Sequence, residues 1–237
     1  MNNEPTMKAM VRDLTPPLVW KLLRRMIASP SAVKEVGSER SSDYYDEKYS
    51  RTEEYHRHYA DSPYFFLWCV LIDRLRPIQV RCLFDIGCGP GQFAAFLHDR
   101  GLAKYVGMDF SAECIHLAHA ACPSFEFVCA NAYTSELFST LDYDVVVATE
   151  FLEHVEGDLA IIDRIKLGTR VYASVPNFPN TAHVRHFSSS EEVCARYGAA
   201  FADFRVDEFL FGSGGLSLFL FEGVRVARRS QADCHED

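Results

Sequence analysis

The sequence has no excess of positive charge. Asp and Glu number 33 against 24 Lys and Arg, which gives a formal net charge of −9 at pH 7. Because a protein that binds a polyanion normally presents a basic face, this balance disfavours nucleic acid as a partner. The first 36 residues depart from the average and are locally basic, with Lys8, Arg12, Lys21, Arg24, Arg25 and Lys34.

Paired cysteine motifs and long apolar runs are also missing. The eight cysteines include no C-x-x-C pair, and this disfavours a zinc site and favours free buried thiols without a functional role. No apolar run reaches the ~18 residues that a membrane-spanning helix needs, and charges interrupt the amino terminus too early for a secretory signal. We therefore expect a cytoplasmic protein.

From residue 63 onward, β-rich runs alternate with helical runs. After a helix near 63–76, strands are predicted near 81–86, 104–109, 124–129, 143–148 and 170–175, and helices near 91–100, 111–120, 157–166 and 189–198. This alternation predicts a parallel sheet. Two further β-rich runs, 201–211 and 216–226, flank a glycine-rich turn and predict a carboxy-terminal antiparallel hairpin. We assign residues 43–228 to one domain and 229–237 to a polar tail.

Residues 1–42 are interpreted as a basic amphipathic extension and linker. In the run 11–27, Leu18, Leu22 and Met26 form an apolar helical stripe with basic residues beside it. Such a helix suits peripheral contact with an anionic membrane or packing on the domain, and the sequence leaves both open. Five tyrosines crowd residues 43–61, and we expect this segment to cover the bound ligand.

A glycine loop joins the first predicted strand to the next helix. Residues 87–92 read Gly-Cys-Gly-Pro-Gly-Gln, and glycines before a helix allow a ligand to approach the backbone and its free N–H groups. A dinucleotide fingerprint needs a third glycine at position 92, where this chain has Gln92, so NAD is disfavoured as the ligand. Asp85 would repel a pyrophosphate but would suit the ammonium group of a sulfonium amino acid.

Two more polar residues follow neighbouring strands. Asp109 ends the second strand, where a carboxylate accepts hydrogen bonds from both ribose hydroxyls, and Asn131 follows the third, where an amide suits an adenine edge. Open α/β sheets bind ligands at these strand ends.

Three stretches carry a family resemblance: Leu-Phe-Asp-Ile-Gly-Cys-Gly-Pro-Gly, then Gly-Met-Asp-Phe-Ser, then Tyr-Asp-Val-Val-Val-Ala-Thr-Glu-Phe-Leu-Glu-His-Val. Over about residues 80–198 the chain resembles class I S-adenosylmethionine-dependent methyltransferases. The resemblance implies a doubly wound, mostly parallel α/β sheet of seven strands with one antiparallel strand, a Rossmann-like methyltransferase fold. It also implies S-adenosyl-L-methionine as cofactor. The predicted cofactor-binding residues are Asp85, Gly87, Cys88, Gly89, Gly91, Gln92, Asp109, Phe110, Asn131, Ala132 and Glu150.

The chain departs from the family pattern at two places. Asn131 stands where members commonly carry aspartate, and residues 161–170 lack the frequent Pro-Gly-Gly turn.

The fourth strand leads to Glu150, Glu153 and His154, which share one face if the turn is helical. Two carboxylates and an imidazole suit Mg²⁺, Mn²⁺ or Zn²⁺, or acid–base catalysis; solvated acids at a strand end are the alternative. The loop 174–187 carries two histidines and is expected to border an acceptor pocket. We predict His154, His183 and Glu153 as catalytic, and Glu150, Glu153 and His154, joined by His186 or His183, as metal ligands.

The pattern Glu-x-x-Glu-His with a later histidine loop resembles metal-assisted O-methyltransferases of the ubiquinone pathway and of small-RNA 2′-hydroxyls. The expected activity is O-methylation of a small-molecule hydroxyl in a sugar, glycolipid or phenolic compound. The alternatives are an RNA 2′-O-methyltransferase and a noncatalytic scaffold that retains the fold. The sequence does not determine the oligomeric state.

Overall fold

The computed structural model describes residues 37–102, 104–212 and 214–228. The amphipathic run 11–27, with its predicted membrane contact, and the polar tail 229–237 lie outside the described residues. None of the helices within the described ranges has the length and apolar character needed to cross a membrane.

The centre of the fold is a seven-stranded sheet with strand order β3-β2-β1-β4-β5-β7-β6. Strand β7 runs antiparallel to both β5 and β6, while the pairs among β1 to β5 are all parallel. The predicted mostly parallel sheet with a terminal antiparallel hairpin is therefore confirmed. The strands are β1 Leu83–Ile86, β2 Tyr105–Asp109, β3 Glu126–Cys129, β4 Val145–Thr149, β5 Arg170–Pro176, β6 Phe201–Leu210 and β7 Ser217–Arg225.

Helices cover both faces of this sheet. They are α1 Ser42–Arg51, α2 Phe65–Leu75, α3 Gln92–Asp99, α4 Ala112–Ala121, α5 Leu137–Thr140, α6 Asp158–Arg164 and α7 Ser190–Tyr197. Leu83 of β1 packs in a cluster with α2, α3 and α4, and Phe84 packs in a second cluster with α5, α6 and α7. Since successive strand residues point to opposite faces, burial of both explains why the strands are almost wholly apolar.

The predicted elements match the observed ones to within two residues at the ends of the parallel strands and the helices between them. Helices α1 and α5 were not predicted. Short 3₁₀ turns at Glu53–His56, Tyr59–Asp61, Leu152–His154 and Gly198–Ala200 were also missed, because runs of three or four residues carry too little periodicity.

The cysteines are only partly as expected. Cys82, Cys88, Cys114 and Cys122 are buried free thiols, but Cys69, Cys129 and Cys194 are exposed. The expectation of buried thiols is therefore wrong for these three, whose strand or helix positions face solvent.

Candidate functional site

A cavity of about 230 Å³ opens at the carboxyl ends of the parallel strands. Open α/β sheets bind ligands at this edge, because the connecting loops diverge there. Twelve of the predicted site residues line the cavity: Asp85, Gly87, Cys88, Gly89, Gln92, Asp109, Phe110, Asn131, Ala132, Glu150, His154 and His183. Gly91, Glu153 and His186 do not line it.

The glycine loop brings backbone close to the cavity. Gly87 has φ +74°, and a Cβ added there would lie 2.5 Å from the ring of Phe151. Gly89 has φ +58°, and no described atom lies within 4 Å of an added Cβ. Because Gly89 lines the cavity, a side chain there would extend into open space beside it.

The third glycine of the loop has a packing role. Gly91 has φ +79° and precedes α3, and an added Cβ would lie 2.7 Å from Cα of Ala118 in α4. Its prediction as a cofactor contact is corrected, because it faces a helix and not the cavity. Gln92 lines the cavity, but its Nε2 donates to the carbonyls of Glu54 at 3.2 Å and Arg57 at 2.8 Å.

Asp85 offers an unused carboxylate oxygen to the cavity. The residue is 2% exposed, and its Oδ2 accepts a hydrogen bond from the Tyr105 hydroxyl at 2.6 Å. Its Oδ1 is buried without a hydrogen-bond partner among the described residues. Burial raises the pKa of Asp85 to about 7, because the charged form loses hydration. A ligand ammonium group would satisfy this oxygen.

Asp109 is held by the backbone around it. It accepts from Gly89 N at 3.3 Å and from Ser111 N at 3.0 Å. Burial raises its pKa to about 6, although these N–H donors oppose the rise. Each oxygen retains a lone pair, so Asp109 can accept hydrogen bonds from two hydroxyl groups.

One polar atom of the Asn131 side chain takes part in a turn. Its Oδ1 accepts from Tyr133 N at 2.8 Å, which makes an Asx turn after β3. The side chain still lines the cavity, so its amide group remains able to face an adenine edge.

Glu150, the first residue after β4, has an unusual backbone conformation. Its φ is +51°, a region that non-glycine residues rarely adopt and that often marks a functional site. Ser174 Oγ accepts from Glu150 N at 3.0 Å and donates to Glu150 Oε1 at 2.8 Å. Burial raises the pKa of Glu150 to about 7.

The predicted helical face of Glu150, Glu153 and His154 is wrong. The chain leaves β4 in the left-handed region at Glu150 and forms only the 3₁₀ turn Leu152–His154. The three side chains therefore do not share the spacing of an α-helix.

The structure brings together a different set, Glu153, His154 and His183. One ligand atom from each lies within 4.8 Å of the others, and the two imidazole rings meet edge to face with centroids 4.8 Å apart. Neither Glu150 nor His186 belongs to this group. Of the two histidines that the sequence offered for the metal set, His183 belongs to this group and lines the cavity, whereas His186 does neither.

Glu153 lies behind the imidazoles. It is fully buried, and neither of its side-chain oxygens has a hydrogen-bond partner among the described residues. Burial, with the nearby Glu150 carboxylate, raises its pKa well above the usual range. Its Oε1 lies 3.8 Å from His154 Nε2.

His154 is held as a neutral imidazole. Its Nδ1 lies 2.9 Å from the carbonyl of Ala182 and 3.1 Å from the Tyr45 hydroxyl. Because a carbonyl only accepts, Nδ1 carries the proton, and Nε2 retains its lone pair. Burial, with the neighbouring His183, lowers the pKa of His154 to about 3. Burial also lowers the pKa of His183.

Residues 43–61, which precede the first strand, lie over the cavity and are called the cover below. Tyr45, Tyr49 and Tyr55 line it, whereas Tyr44 and Tyr59 do not. Asp46 Oδ1 accepts from Ser111 Oγ at 2.5 Å and Glu113 N at 3.1 Å at the start of α4. The tyrosine content of this segment indicated a cover, but the sequence carried no signal for Asp46.

Residues 37–40 also belong to the cover, although the sequence assigned them to a linker. Glu39 Oε2 accepts from the Tyr133 hydroxyl at 3.1 Å and from Glu156 N at 2.7 Å. Arg40 donates to the carbonyl of Thr181. Glu39, Arg40 and Lys48 line the cavity and were missed as site residues, because isolated charges near a chain terminus have no distinguishing pattern.

Comparison with known sequences identifies the central part of the chain. Residues 83–166 match a family model described as a methyltransferase domain. A ubiquinone biosynthesis O-methyltransferase from Paracidovorax citrulli is 30% identical over 117 residues, covering 45% of this chain and 48% of that protein. The chain thus aligns with about half the length of this relative.

Solved structures share the fold. The N-methyltransferase NodS from Bradyrhizobium japonicum, in complex with S-adenosyl-L-homocysteine, superimposes with TM-score 0.58 at 16% identity, covering 78% of this chain and 99% of that one. Magnesium protoporphyrin IX methyltransferase from Synechocystis, with bound S-adenosylmethionine, gives TM-score 0.52 at 16% identity, with 95% and 100% coverage.

Proposed function

We propose that this chain is a class I S-adenosylmethionine-dependent methyltransferase, as the match of residues 83–166 to a methyltransferase-domain model supports, and that it transfers a methyl group from S-adenosylmethionine to a hydroxyl group of a small molecule. The observation that carries the proposal is that one cavity is lined both by Asp85, whose Oδ1 has no hydrogen-bond partner among the described residues, and by the His154 and His183 imidazoles. The first feature suits the amino-acid end of the cofactor, and the second suits a hydroxyl about to lose its proton.

The cofactor contacts follow the strand ends. Asp85 Oδ1 would accept from the ammonium group, Asp109 would bind the ribose hydroxyls, and Asn131 would face the adenine. The open space beside Gly89 leaves room for the ligand against the backbone. Tyr45, Tyr49 and Tyr55 would exclude water from above.

The proposed reaction is an in-line displacement. Bound S-adenosylmethionine supplies an electrophilic methyl group on a sulfonium. The acceptor oxygen forms a bond to this carbon as the carbon–sulfur bond breaks, S-adenosylhomocysteine leaves, and the hydroxyl proton moves to an imidazole or to solvent. Alignment of the oxygen with the methyl group is the main task of the site.

The group Glu153, His154 and His183 fits a divalent cation. A pKa of about 3 keeps His154 neutral, which favours metal ligation and makes it a weak proton acceptor. Glu153 is buried and neither of its carboxylate oxygens has a hydrogen-bond partner within the described ranges, which is a further reason to place a cation here. A bound Mg²⁺, Mn²⁺ or Zn²⁺ would lower the pKa of a coordinated hydroxyl. Direct proton transfer to His154 or His183 is the competing account.

Two observations support a hydroxyl on a small molecule as the acceptor. The curated relative at 30% identity is an O-methyltransferase. The cavity is also lined by Tyr64, Trp68 and Phe178, whose faces suit the ring of a phenolic or sugar acceptor. The cytoplasmic location and the role of residues 11–27 remain predictions.

The test is transfer of labelled methyl to a panel of hydroxylated small molecules. Purified protein would be incubated with S-adenosylmethionine and phenols, sugars or glycolipids, followed by mass spectrometry. We expect a methylated hydroxyl and an equal amount of S-adenosylhomocysteine. Methylation of nitrogen alone, or of RNA in preference to every small molecule, would overturn the proposal.

A further inference from the structure

Arg164 holds the loop on the adenine side of the cavity. It is the last residue of α6, and its two terminal nitrogens donate to the carbonyls of Tyr133 and Ser135. These carbonyls belong to the turn after β3, in which Thr134 N and Ser135 N donate to the carbonyl of Asn131. A planar guanidinium can bind two carbonyls at fixed geometry, which a lysine ammonium cannot reproduce. Arg164 therefore fixes the turn that presents Asn131 to the cavity.

Arg185 holds the loop that carries His154. It lies in the loop after β5, its side chain is 14% exposed, and it donates to three carbonyls, those of Leu152, Val155 and Glu156. The first of these carbonyls belongs to the 3₁₀ turn Leu152–His154 and the other two follow it directly. Because Arg185 belongs to the same loop as His183, it ties together the two loops that supply the imidazole pair.

Both arginines are connected to α6: Arg164 is its last residue, and Arg185 contacts its first. Asp158, the first residue of α6, is 1% exposed and lies 3.3 Å from Arg185 Nη1. Arg196 also binds Asp158, with distances of 2.7 and 2.6 Å, and the Tyr197 hydroxyl donates to it at 2.8 Å. A buried carboxylate with this many donors has a fixed position. One end of α6 thus fixes the His154 loop through Arg185, and the other fixes the Asn131 turn through Arg164.

We propose that Arg164 and Arg185 are positioning residues with separate tasks. Arg164 sets the affinity for the cofactor by shaping the Asn131 turn. Arg185 sets the arrangement of His154 and His183, with little effect on cofactor affinity. The second half rests on the proposed function, because it assumes that the imidazole pair serves the acceptor.

The experiment compares Arg164→Lys with Arg185→Lys. Each substitution keeps the positive charge but removes the planar guanidinium that binds several carbonyls at once. Titration calorimetry with S-adenosylhomocysteine should show about 10-fold weaker binding for Arg164→Lys. The reason is that the Asn131 turn loses roughly one to two of the hydrogen bonds that hold it in place for the cofactor. Arg185→Lys should bind within about twofold of the unsubstituted protein, because none of its carbonyl partners belongs to the residues proposed to contact the cofactor. With an identified acceptor, Arg185→Lys should lower kcat and leave the KM for the cofactor unchanged.

Hydrogen exchange supplies a readout that needs no acceptor. Amides in residues 152–155 should exchange faster in Arg185→Lys only, and amides in residues 131–136 should exchange faster in Arg164→Lys only. Chemical rescue supplies an independent test: in Arg164→Ala and Arg185→Ala, millimolar guanidinium chloride should restore slow exchange, and sodium chloride at equal ionic strength should not.

Two results would overturn the inference. Equal effects of both substitutions on cofactor binding would show that the tasks are not separate, and unchanged exchange in both loops would show that the arginines do not hold them. Failure of the unsubstituted protein to bind S-adenosylhomocysteine would contradict the proposed function instead, and the exchange measurement would still test the two arginines.

Discussion

The Tyr45 hydroxyl lies 3.1 Å from Nδ1 of His154, although 109 residues separate them in the chain. Tyr45 belongs to the cover and His154 to the loop after β4, so this contact joins the closing segment to the proposed chemistry. Nδ1 of His154 therefore lies within hydrogen-bonding distance of two oxygens, that of the Ala182 carbonyl at 2.9 Å and that of the Tyr45 hydroxyl.

Removal of the hydroxyl in Tyr45→Phe should lower turnover and leave cofactor binding nearly unchanged. The ring still packs against Phe110 with centroids 5.4 Å apart, and only the polar contact with His154 is lost. That loss is about 1 kcal/mol, or roughly fivefold in kcat. Tyr44→Phe is the matched control, because Tyr44 does not line the cavity. Equal losses in the two variants would contradict a specific role for the Tyr45 hydroxyl.

Cofactor binding should release a proton near neutral pH. Burial raises the pKa of Asp85 to about 7, so much of this carboxyl is protonated at pH 6 in the free protein. A bound ammonium group favours the ionised form and lowers this pKa, which releases the proton. Affinity should therefore rise between pH 6 and pH 7.5, by at most roughly tenfold per pH unit.

Calorimetry in buffers of different ionisation enthalpy measures this release. Asp85→Asn is the control, since it cannot ionise, and it should abolish most of the release while binding more weakly. Proton uptake on binding, or a release unchanged by Asp85→Asn, would contradict the contact between Asp85 and the ammonium group.

Gly89→Ala should impair cofactor binding more than it impairs stability. The matched control is Gly101→Ala, because both glycines have positive φ, +58° and +83°, and open space around an added Cβ among the described atoms. Each substitution should cost about 1 kcal/mol in stability through backbone strain. Only the methyl group at Gly89 would enter the cavity, so only this variant should lose S-adenosylhomocysteine affinity, by at least roughly tenfold. Similar binding by both variants would remove Gly89 from the site.

The sheet and the positions of Asp85, Gly89 and Asp109 at its edge were predictable because each signal is local. A strand followed by a glycine turn and a helix places Asp85 and Gly89 at a sheet edge, and the next strand ends in Asp109. The arrangement after β4 was not predictable, since it depends on the left-handed conformation of Glu150 and on Ser174 in a neighbouring strand. The same holds for the cover, whose contacts join residues far apart in the chain.

Chelation should distinguish a metal from a histidine base. If a cation is bound by Glu153, His154 and His183, exhaustive EDTA treatment should lower turnover by at least roughly 100-fold, and excess Mg²⁺, Mn²⁺ or Zn²⁺ should restore it. His186→Ala is the control, because His186 lies outside the group, and it should leave turnover unchanged. Turnover indifferent to EDTA but abolished by His154→Ala would reject the metal and support direct proton transfer.

The most direct measurement is a calorimetric titration of the full chain and of Asp109→Ala with S-adenosylmethionine and S-adenosylhomocysteine. We expect one site in the unsubstituted protein. In Asp109→Ala, two hydroxyl contacts are lost, which should weaken binding by about 1–3 kcal/mol, or roughly 5- to 150-fold. Absence of binding by the unsubstituted protein, or unchanged affinity in Asp109→Ala, would contradict the account.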